Sequence, residues 1–64
     1  MLDIIIRLKV DKEEALKILG KIDAENIIVF DKYIKARIYT WDFDKISTSG
    51  IGVVEKDGRK SYYN

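Results

Sequence analysis

The chain has 64 residues and a formal net charge of +1, from twelve Lys or Arg against eleven Asp or Glu, with neither cysteine nor histidine. That excludes disulfides, the usual zinc sites and the acidic excess of a DNA mimic, and leaves local patches rather than bulk charge to direct association. Asp3 and Arg7 break the only N-terminal apolar run, and no stretch approaches the roughly 20 apolar residues of a membrane span, so a soluble cytoplasmic protein of one domain, 1–64, is expected.

Residues 2–10 alternate cleanly. Leu2, Ile4, Ile6, Leu8 and Val10 face one way and Asp3, Ile5, Arg7 and Lys9 the other, the pattern of a half-buried strand. Asp11 is placed as an N-cap, with Glu14 completing a capping-box pattern and Val10 and Ala15 in staple positions. Ala15, Ile18, Leu19 and Ile22 form the apolar stripe of the helix, and Gly20 weakens its last turn, so it ends between Leu19 and Asp23. Ile27–Phe30 reads as a short strand, joined through Asp31-Lys32 to a longer one from Tyr33 to about Trp41. Pairing Phe30 with Tyr33 sets Val29 against Ile34 and Ile27 against Ala36 on the core face. It leaves Ile28, Phe30, Tyr33 and Lys35 on the other. Trp41 to Asp44 ends that strand, and Lys45–Gly52 reads as a loose connection. Asp57-Gly58 is a type I′ turn signal, predicting a final hairpin with Val53 opposite Tyr62.

The predicted fold is α+β in two layers: one helix on a mainly antiparallel sheet of four to five strands, in the order β-α-β-β followed by a β-hairpin. The third strand is expected between the first and second. A domain this small buries only about 60% of its unfolded surface, so dense apolar packing or self-association must supply stability. Isoleucine and lysine dominate while Pro, Gln, Cys and His are absent, a usage suited to an AT-rich genome such as that of a phage, a mobile element or a thermophile.

Function is expected on the striped strand. Tyr33, Lys35, Arg37, Tyr39, Trp41 and Phe43 recur at period two, so a continuous strand would put four aromatic rings and two cations on one face, with Phe30 beside them. The layout resembles the RNA-binding sheet of RRM domains, but Lys35–Trp41 lacks the Gly-aromatic-Gly motif. Tyr, Trp and Arg are also the residues of protein-interface hot spots, and Ile5, Ile28 and Phe30 make the same face apolar. The reading is a non-enzymatic binding protein, a small modulator or inhibitor, acting on a protein partner or as a homodimer through Phe30, Tyr33, Lys35, Arg37, Tyr39, Trp41 and Phe43. Single-stranded nucleic-acid binding by that face is the alternative.

No catalytic residues, metal ligands or cofactors are expected. Ser47, Thr48 and Ser49 have no evident base partner, Asp42 and Asp44 read as a solvated turn, and Gly50-Ile51-Gly52 lacks the rest of a phosphate-binding loop. Lys56, Arg59 and Lys60 read as a solvated basic hairpin tip.

Overall fold

A computed structural model of the chain describes residues 1–57. Four strands, β1 (Leu2–Leu8), β2 (Glu25–Val29), β3 (Tyr33–Ile38) and β4 (Gly52–Lys56), form one antiparallel sheet in the order β2-β3-β1-β4. β3 lies between β1 and β2, as the connectivity predicts, and β4 joins the sheet along the other side of β1. The turn expected at Asp57-Gly58 and the strand expected after it lie outside the described residues.

Helix α1 (Lys12–Lys21) starts at Asp11, whose carbonyl accepts from the N–H groups of Glu14 and Ala15 at 3.1 and 3.2 Å. The capping box is not formed, since the Asp11 side chain makes no cap bond. Asp11, Glu13 and Glu14 still place negative charge at the positive end of the helix dipole. The staple positions behave as expected, with Ala15 buried and Val10 packed against the core.

The end of α1 is a Schellman motif. Asp23 has a φ of 58°, its N–H donates to the Gly20 carbonyl at 3.4 Å, and the Ala24 N–H donates to that of Leu19 at 3.1 Å. The left-handed residue is therefore an aspartate, three positions after the glycine that marks the end in the sequence. Relieving its Cβ crowding with Asp23→Gly should leave stability unchanged or raise it by up to about 1 kcal/mol. A β-branched Asp23→Val should lower it by about 1–2 kcal/mol. Thermal melts of the two variants check this.

The core lies on one face of the sheet: Ile4 and Ile6 from β1, Ile34, Ala36 and Ile38 from β3, and Ala15 and Leu19 from α1. Ile46 and Ile51 complete it. Their presence corrects the expectation of a long striped strand followed by a loop. β3 stops at Ile38, Thr40–Asp42 form a 3₁₀ turn, and Phe43–Ser47 form a second helix, α2. Phe43 and Ile46 are three apart, the spacing of one helix face, and turning inward lets both meet the core.

The serine-rich segment after Lys45 is likewise ordered. Ser47 Oγ and Thr48 Oγ1 donate to the Asp44 carbonyl at 3.2 and 2.7 Å, and Ser49 Oγ donates to that of Ile46 at 2.7 Å. The same two carbonyls accept from the Thr48 and Ser49 N–H groups at 3.1 and 3.2 Å, so the hydroxyls add a second bond to carbonyls at the C-terminal end of the helix. Gly50, at a φ of 86°, then turns the chain, and Gly52 starts β4 hard against the Arg7 carbonyl. The Gly-x-Gly is thus a packed turn and strand start rather than a flexible link.

β2 departs from expectation in burial. Val29↔Ile34 and Ile28↔Lys35 pair in the predicted register, but the register shifts at a bulge between Glu25 and Ile28, where Asn26 has a φ of 52°. Ile27 and Val29 were expected in the core beneath the helix, yet every residue of β2 is exposed. The core is built over β1 and β3, which leaves β2 as an edge beyond it.

Candidate functional site

Both helices contribute to the core on one face, so among the described residues the opposite face of the sheet carries no helix. Alternation places Asp3, Ile5 and Arg7 of β1, Tyr33, Lys35 and Arg37 of β3, Val53 and Glu55 of β4 and Ile28 of β2 on that open face. The aromatic and cationic residues of the N-terminal part of the stripe are therefore together, as the register predicts. Phe30 lies just past β2 with its ring stacked on Tyr33, centroids 4.5 Å apart. Ile28 beside them is 52% exposed.

The C-terminal part of the stripe goes elsewhere. Tyr39 keeps extended dihedrals, so it stays in phase with Arg37, and its ring stacks nearly parallel on Trp41 at 4.7 Å. Trp41 itself sits on the 3₁₀ turn and is 73% exposed, so one ring face is covered by tyrosine while most of its surface meets solvent. Phe43 leaves the striped face. It packs against the core on the helix side, where Lys56 Nζ lies 5.5 Å from its ring centroid. Its period-two position is coincidental, because α2 takes it out of the sheet.

The electrostatics of the open face differ from the sequence pattern. Each cation on β1 and β3 meets a carboxylate from another strand or its end. Arg37 Nε lies 2.9 Å from Asp3 Oδ1, Arg7 Nε 3.7 Å from Glu55 Oε1, and Lys35 Nζ 3.7 Å from Asp57 Oδ2. The hydrogen bond to Asp3, then the charges of Asp3 and Glu25, raise the Arg37 pKa above its ordinary value. A raised cation pKa stabilises the fold at every pH below the ordinary value and loses that effect only as pH rises above it, so Arg37 adds no pH dependence near neutrality. Exposed pairs of this kind contribute little to stability. Their main effect is to cancel the positive patch that Lys35 and Arg37 suggest.

A shallow hollow beside the β2 bulge is lined by Asn26, Ile28, Lys35, Arg37, Asp3 and Asp57. A wider one at the opposite end lies among Val10, Asp11, Lys12, Glu13, Asp31 and Lys32, with both signs of charge on its walls. Among the described residues no group of acidic side chains is arranged to hold a metal ion. Asp42, expected in a solvated turn, is only 5% exposed and lies 3.7 Å from Lys45 Nζ, closing the start of α2. No helix among the described residues is long and apolar enough to cross a membrane.

The exposed apolar surface continues from the open face around the β2 edge through Ile27, Val29 and Phe30. Sequence reasoning places Ile27 and Val29 in the core, and they are surface because the core on that side is built over β1 and β3 and does not extend to β2. Neither a protein-family profile, nor a curated protein, nor a solved structure matches this chain.

Proposed function

We propose that this is a protein-binding module that docks a partner on the helix-free face of its sheet, with Ile28, Phe30, Tyr33, Tyr39 and Trp41 as anchors. The observation that carries this reading is the pairing of Arg7, Lys35 and Arg37 with carboxylates across the sheet, while Ile28, Phe30 and Trp41 stay exposed and Tyr33 and Tyr39 half-exposed beside them. Such a surface attracts by apolar contact and shape, with charge pairs fixing orientation rather than strength. A modulator or inhibitor role fits a small module of this kind.

The test is to pan the full chain against a random peptide library. Selected ligands should bind with affinities that change little between 50 and 500 mM salt, and Trp41→Ala combined with Tyr39→Ala should abolish their binding. That double variant should keep its far-UV circular dichroism and melt within a few degrees of the parent, because the ring pair lies outside the buried core. If it is unfolded, the rings are structural and the reading fails.

A second reading rests on one feature, the outward surface of Trp41, on which a base of single-stranded nucleic acid could stack. It requires quenching of Trp41 by oligonucleotides and an affinity that falls steeply with salt. The neutralised cations argue for the first reading.

A further inference from the structure

We propose that the β2 edge pairs with the β2 edge of a second copy, antiparallel across a two-fold axis at Val29, joining the two sheets, four described strands from each copy, into one. This deepens the protein-binding reading by naming one occupant, and rests on it only in using the same exposed strand.

The hydrogen-bond phase of β2 selects the register. The Phe30 N–H donates to the Tyr33 carbonyl at 2.8 Å, so the polar groups of Phe30 point inward to β3. In an antiparallel ladder successive residues alternate in this respect, so the N–H and C=O of Val29 point outward, away from the sheet. Ile27 would be next in phase, but the bulge at Asn26 disturbs the ladder there. Val29 is the one residue of β2 in clean outward phase, and its side chain is 44% exposed on the helix side.

A two-fold at Val29 lets each Val29 N–H donate to the carbonyl of the partner's Val29. It sets Ile28 against the partner's Phe30, and Phe30 against the partner's Ile28, on the open face. Both are large and exposed in the single chain. Lys32 falls beside the partner's Asn26 and next to the partner's Glu25, and Asp31 falls opposite the partner's Ile27, so each end brings a cation near a carboxylate and sets no two like charges opposite each other. A two-fold one residue earlier, at Ile28, would oppose Glu25 to the partner's Asp31 twice and pair Val29 with the partner's bulged Ile27. Charge and backbone phase therefore agree on Val29.

Sedimentation equilibrium of the full chain should give a dimer, twice 7.5 kDa. Val29→Lys puts two like charges on the axis and should weaken association by at least about tenfold while leaving circular dichroism intact. Should that variant fail to fold, Val29→Cys decides the matter in a chain with no other thiol. A short bismaleimide should couple it into covalent dimers, whereas Lys17→Cys on the exposed side of α1 should couple poorly. A monomer throughout the concentration range overturns the proposal, as does a dimer indifferent to Val29→Lys and uncoupled through Val29→Cys. Peptide binding measured on Val29→Lys separates the two claims: retention with loss of the dimer leaves the docking face standing by itself.

Discussion

Gly52→Ala is expected to release β4 from the sheet and to destabilise the fold by about 2–4 kcal/mol, more than an added methyl group usually does. The reason is local. A Cβ at position 52 would fall on the Arg7 carbonyl oxygen, 2.9 Å from its carbon and 3.1 Å from Leu8 Cα. All three are backbone atoms of the central strand, which also pairs with β3 and cannot retreat without disturbing the core. The strain is relieved only by moving β4 away, which opens the pairings of Gly52 with Leu8 and Val53 with Arg7. Proteins this size have roughly 3–10 kcal/mol of stability in total, so the loss consumes a large share of it. Amide exchange should show faster exchange in β4 than the global loss explains. Uniform exchange with an unchanged melting temperature would mean that β4 packs less tightly than described.

Ile46→Ala should cost about 2–5 kcal/mol, the range for truncating a fully buried aliphatic side chain. Ile46 is completely buried although it lies on a five-residue helix. A helix that short does not form by itself in water, so its side chain must hold it to the core. Removing the anchor should release α2 and with it the Asp42–Lys45 closure and the hydroxyl caps from Ser47 to Ser49. Urea midpoints would measure the loss. Thr48→Ala, which removes one cap and no core contact, provides the scale and should cost about 1 kcal/mol or less. Equal effects from the two would show that α2 is held by its caps.

The contrast between Ile46 and the striped strand shows what the sequence could convey. β1, α1 and the Phe30–Tyr33 register are legible because several signals coincide there: alternation, a capping residue and matching apolar sets on both strands. From Trp41 to Ile51 they conflict. Trp41 and Phe43 continue a period of two, while Phe43 and Ile46 begin a period near three and a half, and one helical turn is too short for the second pattern to prevail on inspection. The exposure of β2 was unreadable for another reason. Alternation tells which face a side chain takes, but not whether a helix reaches far enough across the sheet to cover it. The neutralised cations required still more, since Arg7 meets Glu55 and Lys35 meets Asp57 only once β4 is known to lie beside β1.

The position of β1 has a temporal meaning as well. It precedes every other element, yet it is the middle of the sheet, and its second neighbour is β4, with Ile4 paired to Lys56. During synthesis this strand can meet α1 and β3 once about thirty further residues have emerged, but its second edge stays open until β4 follows. The β2–β3 hairpin can form early because its loop is short, but it has no sheet to join until β1 is captured. Completion of the sheet should therefore be a late event, and nascent chains arrested before Gly52 should be markedly easier for proteases to digest than the finished polypeptide.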